Sequence, residues 1–423
     1  MKRIITLALA VCMVFGAALN ASAAEIKASG NMYVGYDYLN KDNDGKKSDF
    51  IQRFRTQIDI VASEALSGTV YFEISNTWGK TNEANVGGGQ GGALGADGVN
   101  IKTRRAYLDF IVPNTPVKVR AGIQGFALPG AVAGSVLLDD DLGAIVASTS
   151  YDIVDFTAFY GRPYDQADEN GYDKSNTSVD IFGAVAAINL DKLTVSPYAM
   201  FASTGKESIR GLDDDGNKIP YNNDTQWYGI ALEATPIANL VLSFDGVYGK
   251  ASDKDAGFLV AGKAAYATQY CVPALMAWYG SGNDSDGEGL MPTLDDGTDF
   301  AATTLVGAGA QGPDSDGIFG NALGKWGVGL QVAELTFIEK VSHVARVTYI
   351  RGTNDDSNTN LDIENWGEDD SAVEFDFTTT YSMYDNLDLI ADFAYVVTDF
   401  DSNNAAHSTD DVFKAAILAA YSF

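Results

Sequence analysis

The chain has 423 residues and a formal net charge of -29, with 44 glycines, 21 tyrosines, 21 phenylalanines and only 10 prolines. So acidic a balance excludes nucleic acid as a natural partner, and the glycine and aromatic content favours strands joined by open loops. Past the N-terminal segment no apolar run approaches the roughly 18 residues a membrane helix needs, which leaves a soluble β-protein or a membrane β-barrel, whose strands meet lipid only at alternate residues.

Residues 1–23 have the form of a secretory leader: Lys2 and Arg3, an apolar run from Ile4 to Leu19, then Ala21-Ser22-Ala23 as a small-residue cleavage site. A lipoprotein reading through Leu9-Ala10-Val11-Cys12 is disfavoured, because Val before the Cys is atypical and the apolar run would be cut short. Removal of the leader leaves one domain, 24–423, outside the cytoplasm. Cys271 is then the only cysteine, so no intramolecular disulfide is available. It reads as a buried small residue near a turn rather than a nucleophile.

Alternation of apolar and polar residues, in segments of about ten, marks strands at 26–39, 50–62, 68–78, 101–112, 117–125 and 144–151. Further segments follow at 153–161, 178–188, 193–202, 225–234, 240–250 and 257–268. The last are 272–280, 325–337, 341–351, 371–382, 387–398 and 412–423. The count is eighteen, with sixteen open as the alternative if one hairpin is misjudged. Connections after even-numbered strands are short, as at 63–67, 113–116 and 235–239, whereas most after odd-numbered strands are long and polar, as at 79–100, 203–224 and 281–324. Up-and-down membrane barrels have this asymmetry of turns and loops. A sandwich or propeller has no reason for it.

Charge placement is a second test. If the apolar parity faces out, Asp37, Arg53, Arg55, Asp59, Glu73, Arg105, Asp109, Lys118, Arg120, Asp245, Arg346, Glu374, Asp376, Asp392 and Lys414 all fall on the other parity. Lys102 and Arg104 break the rule, near the outer end of their strand. Turning half of such residues toward lipid would cost roughly 2–4 kcal/mol for each basic side chain, more in sum than a typical stability of about 5–15 kcal/mol. Ions this crowded also point to a wet interior, since a dry core would have to pair each one. The expected fold is therefore an all-β, transmembrane, antiparallel up-and-down barrel.

The stretch 101–145 concentrates the chemistry. Arg105, Lys118 and Arg120 share a face with Tyr107 and Gln124, while Leu108, Phe110, Val119 and Ile123 take the other. A Gly/Ala/Pro-rich excursion follows and ends in Leu138-Asp139-Asp140-Asp141, which suits a loop folded into the water-filled side. At the C-terminus Phe413, Ala415, Ile417, Ala419, Tyr421 and Phe423 alternate to a terminal Phe. The last strand must pair with the first, so that no backbone edge is left in hydrocarbon. Small outward residues there (Ala28, Gly30, Ala415, Ala419) point to packing against another subunit.

With its leader, the Tyr421–Phe423 ending resembles the C-terminal signature of Gram-negative outer-membrane barrels. Arg105-Ala106-Tyr107-Leu108 and Val119-Arg120-Ala121-Gly122-Ile123-Gln124 stand where trimeric general porins carry basic pore-wall strands, and 126–143 resembles their inward-folded third loop. The runs at 273–284 and 351–354 resemble homotrimeric porins of sulfate-reducing bacteria. The resemblance implies an outer-membrane channel for passive diffusion of small hydrophilic solutes and ions. It implies a homotrimer assembled by the outer-membrane barrel assembly machinery, in contact with lipid and lipopolysaccharide. Eighteen strands, however, are usual in sugar-specific channels, so a substrate-specific channel stays open as the alternative.

On parity and resemblance together, Arg53, Arg55, Arg105, Lys118 and Arg120 form one wall of a constriction, faced by Asp139, Asp140 and Asp141 from the loop. Opposite unit charges about 8 Å apart interact by roughly 0.5 kcal/mol in bulk water and 2 kcal/mol at an effective dielectric of 20, enough to orient solutes and too little to bind them tightly. The acidic surplus favours a mild cation preference, the arginine cluster stands against it, and the balance leans weakly to cations. Acidic turns at 42–45, 213–216, 284–287 and 314–317 each match part of a calcium loop without its twelve-residue spacing and terminal Glu. They read as solvated turns that Ca2+ could at most bridge, and no other cofactor is expected. The Gly-rich 87–98 has no phosphate-binding strand–helix context. The histidines, His343 and His407, lack a Ser or Asp pattern that would make an enzyme. A secreted adhesin explains the leader and the acidic loops, but neither the loop asymmetry nor the charge parity.

Overall fold

The computed structural model describes residues 24–41, 45–79, 101–165, 177–205, 209–212, 218–220, 224–252, 254–294, 300–307, 318–357, 361–409 and 411–423. The leader, the Gly-rich segment 87–98 and the acidic turns at 42–44, 213–216 and 314–317 lie outside these residues.

The alternating segments become strands β1 (Glu25–Lys41), β2 (Gly45–Ser63), β3 (Leu66–Thr77), β4 (Lys102–Ile111), β5 (Lys118–Ala127) and β6 (Asp139–Tyr151). Next come β7 (Val154–Asp165), β8 (Ser178–Leu190) and β9 (Leu193–Thr204), then a small hairpin of β10 (Ile209–Leu212) and β11 (Lys218–Pro220). The wall continues with β12 (Thr225–Ala234), β13 (Leu240–Ala251), β14 (Gly257–Tyr266), β15 (Val272–Gly280) and β16 (Lys325–Ile338). It ends with β17 (Val341–Gly352), β18 (Ser371–Tyr384), β19 (Leu387–Asp399) and β20 (Asp411–Ser422).

Without the hairpin these make one 18-stranded antiparallel sheet in which β9 pairs with β12 and β20 closes on β1. At the closure the Phe423 N–H donates to Gly30 O at 3.0 Å, the Gly30 N–H donates to Phe423 O at 2.9 Å, and Tyr421 opposes Met32. Inside the same seam Lys414 Nζ meets Asp37 Oδ1 at 3.0 Å, both side chains buried. Short turns at the opposite end from the long loops use Asn114, Asp152, Asn239 and Lys340 at positive φ, a backbone state that Asn and Asp tolerate better than most residues.

A period of two dictates the two faces. Leu108, Ile123, Ile145 and Ile417 point out and are exposed, whereas Asp37, Asp245, Glu374, Asp392 and Lys414 point in and are buried. Lys102 and Arg104 cease to be exceptions. The β3–β4 register passes from Tyr71 opposite Arg105 to Phe72 opposite Thr103, leaving Arg104 as the extra residue of a bulge. That slip returns Lys102 to a place opposite Glu73.

The interior is less uniformly wet than its charges implied. Residues 128–138 fold inward with Leu128, Val132, Val136, Leu137 and Leu138 buried, and the loop's neck is closed by the Leu128 N–H on Leu138 O at 2.8 Å. The long 281–324 connection also enters, burying Met291, Leu294, Phe300, Leu305, Val306 and Phe319. Both loops join the wall's apolar residues in one core cluster. A cap of Trp366, Phe319 and Phe400, with ring centroids 5.1–6.5 Å apart, closes over that side.

Candidate functional site: the charged lumen wall

The basic residues line the wall formed by β2 to β5. Arg53 stands between Tyr33 and Ser75 in the cross-strand register, with no acid directly opposite, and its guanidinium lies 4.6 Å from the Tyr33 ring centre. Arg105 opposes Tyr71 and stacks on it at 5.3 Å; Arg120 stacks on Tyr107 at 4.2 Å. Cross-strand neighbours are close enough for such contacts, and stacking a planar guanidinium on an aromatic face fixes its plane and leaves its N–H edge turned toward hydrogen-bond acceptors.

Carboxylates on the same wall take part of that charge. Glu73 accepts from Arg55 Nε at 2.6 Å and Arg104 Nη1 at 3.0 Å. Asp141 accepts from Arg104 Nε at 2.6 Å and Arg105 Nε at 2.5 Å. Arg120 forks onto Asp109 at 2.7 and 2.9 Å, while Asp59 accepts from Thr69 and Gln57. The result is a continuous chain, Arg55–Glu73–Arg104–Asp141–Arg105, with Arg120–Asp109 separate from it.

The expected constriction therefore needs correction in two respects. Asp139, Asp140 and Asp141 are not in the inward loop. They open β6, paired with Ala127, Phe126 and Gly125, because the backbone ladder continues past the point where the sequence turns acidic. Asp141 thus binds arginines beside it rather than across the barrel interior, and Asp139 and Asp140 stay exposed at the strand end. Nor do the basic residues gather at one level. Lys118 begins β5 at the short-turn end, and the rise from there to Gln124 is about 20 Å of strand. Arg53, Arg55, Arg105, Arg120 and Lys118 are strung along the wall.

Sequence reasoning undervalued Arg104, whose role comes from the bulge. Two successive off-parity charges were the available sign of a register slip. The same region holds a parting of strands: β4 and β5 pair only as far as Ala106 opposite Ile123. Gly122, at φ +134, bends β5 just there, where an added Cβ would lie 2.3 Å from Ala106 O. Above the bend, Arg105 crosses the face of Gly125, where a Cβ would meet its guanidinium at 2.3 Å. Arg104 and Arg105 reach from β4 past β5 to hold Asp141 on β6.

The wall from β13 to β18 uses its charges differently. Asp245 accepts from the backbone N–H groups of Ala131 (2.8 and 3.0 Å) and Val132 (2.8 Å). Glu374 accepts from Thr303 Oγ1 at 2.5 Å and the Leu305 N–H at 2.9 Å, and Arg346 donates to Ala302 O at 3.2 Å. Trp227 Nε1 donates to Pro292 O at 2.7 Å and Tyr164 OH to Leu294 O at 3.4 Å. The inward loops are thus tied to β7, β12, β13, β17 and β18.

Outside the barrel, the acidic turn at Asp284 closes on its own backbone, Gly287 N–H to Asp284 O at 2.9 Å. The neighbouring carboxyls of Asp284 and Asp286 split each other's titration, holding Asp284 below the usual carboxylate range and pushing Asp286 above it. Cys271 is half-buried in a short turn, less enclosed than expected, and its N–H donates to Thr268 Oγ1 at 3.0 Å. His343 is stacked on Phe377 with its Nδ1 2.9 Å from Thr379 Oγ1, and His407 Nδ1 lies 2.9 Å from Asn404 O.

No protein-family model matches the chain, and no curated protein matches it in sequence. Solved structures share its fold. OccK11 (OpdR) of Pseudomonas aeruginosa superposes with a TM-score of 0.59 at 11% identity, over 94% of this chain and 96% of that one. OccAB2 of Acinetobacter baumannii gives 0.59 at 13% identity, over 94% and 98%. The outer membrane protein OpdK of Pseudomonas aeruginosa gives 0.57 at 10%, over 94% and 98%. At these identities the likeness is one of fold: a closed antiparallel barrel of eighteen strands.

Proposed function

We propose that this chain is an outer-membrane channel of a Gram-negative bacterium, exported by its leader, that passes small hydrophilic solutes and selects among them in favour of anions. The observation that carries the reading is the contrast around the lumen: two loops rest on the β7–β18 side, and the β2–β5 side displays arginines stacked on tyrosines. Guanidinium edges match carboxylate and phosphate oxygens two at a time. A file of them along one wall, shared in part with Glu73, Asp109 and Asp141, gives an anion successive weak sites rather than one tight one. Filling by two loops instead of one supports the substrate-selective reading over general diffusion, and the cationic wall outweighs the acidic surplus, much of which lies in the loops.

The reading extends to assembly as a homotrimer, supported by the small outward side chains Ala28, Gly30, Ala415 and Ala419 flanking the β1–β20 closure; the mass of the detergent-solubilised particle tests it.

Purified protein in planar bilayers under a KCl gradient should show a reversal potential of the anion-preferring sign. Proteoliposomes should swell faster in a small carboxylate than in a neutral sugar of equal size. Equal rates would sink the selectivity, and an electrically silent protein would sink the channel.

A further inference from the structure

We propose that the two inward loops are a single strap, pinned to the wall at two buried carboxylates, Asp245 and Glu374, and that this strap sets the aperture; the aperture part rests on the channel reading above. Each pin takes two donors from its loop: the Ala131 and Val132 N–H groups on Asp245, the Thr303 hydroxyl and Leu305 N–H on Glu374. The carboxylates are 2% and 0% exposed; Val132, Thr303 and Leu305 are buried with them, and Ala131 is half-buried. Between the pins the loops join directly, Ala301 N–H to Ala133 O at 2.8 Å. The pinned end of the longer loop is itself a closed turn, in which Thr303 and Val306 exchange hydrogen bonds at 2.9 and 3.0 Å.

The physical need is plain. Loop backbone carried into a barrel loses its water, and each N–H must find an acceptor. A side-chain carboxyl on the wall can accept from two donors at once. Asp245 on β13 and Glu374 on β18 are five strand spacings apart, about 24 Å around the wall. A strap held at both places, and spliced in the middle, moves as one piece or not at all.

The test uses Asp245→Asn and Glu374→Gln in full-length, refolded or membrane-extracted protein carrying Cys271→Ala. Thr303→Val serves as a second, milder variant that leaves Glu374 in place. Heat-modifiable gel mobility selects folded barrels. Reporter cysteines at Val132 and Val306, both buried, are labelled with a water-soluble thiol reagent. The strap predicts that Asp245→Asn exposes Val306→Cys, and Glu374→Gln exposes Val132→Cys, each labelling about fivefold faster, with more frequent conductance steps in single-channel records. Variants that free only their own loop overturn the single strap. Unchanged labelling in both overturns the pins. Pin variants that label as predicted, beside a wild-type protein that never conducts, overturn the channel reading and leave the strap standing.

Discussion

The β2–β5 wall and the β13–β18 wall carry charges of both signs on the same inward parity, yet they put them to different ends. On the first, acids and bases pair along the wall itself, Glu73 and Asp141 each bridging two arginines, and the side chains keep contact with the lumen. On the second, carboxylates reach loop backbone and disappear from solvent. Parity alone does not tell a lumen-facing charge from a structural one; what lies in front of it does.

The sharpest way to break this contrast is to reverse the open wall. Arg53→Glu together with Arg120→Glu should invert the sign of the reversal potential, moving the anion-to-cation permeability ratio by about tenfold or more, since a unit charge near the solute path is worth roughly 0.5–2 kcal/mol. Arg53 has no directly opposed acid to soften the change. A smaller effect follows from crowding the bend where β4 and β5 part. Gly122→Ala forces a side chain into φ +134 and against Ala106 O, a strain of about 1–3 kcal/mol that should lower the urea midpoint of the folded band. Gly143→Ala, where the added carbon meets nothing within 4 Å, should leave that midpoint in place.

The division between legible and hidden follows from the range of each signal. Strand positions are local: Leu108, Phe110, Val119 and Ile123 announce their face by neighbours two residues away, so alternation finds all eighteen barrel strands, although β6 starts at Asp139, ahead of its alternating stretch. The inward loop at 128–138 is legible from its Gly, Ala and Pro content. The second inward loop was not, although Phe300, Leu305, Val306, Ile318 and Phe319 are a strange set for a solvated outer loop, and buried apolar loop residues have no period to betray them. Arg104 was misjudged because a bulge is a pairing event between strands, invisible in either one. The Asp37–Lys414 pair lies deeper still, since it exists only once β20 has found its register on β1.

The gentlest perturbation tests whether the open wall's acids restrain its arginines. Asp109 holds Arg120 in a two-pronged pair, both side chains more than a third exposed, so solvent screening leaves the pair worth little to stability, about 0–1 kcal/mol. Asp109→Asn should therefore leave the folded band's urea midpoint nearly unmoved. Its effect is on permeation: Arg120 stays stacked on Tyr107 but no longer shares its charge, and anion preference should rise about twofold at low salt. The gain should fade as ionic strength approaches 1 M, where the screening length falls to about 3 Å. A gain that persists in molar salt would mean that Asp109 acts by shape rather than by charge, and that the two walls differ less than their ion pairs imply.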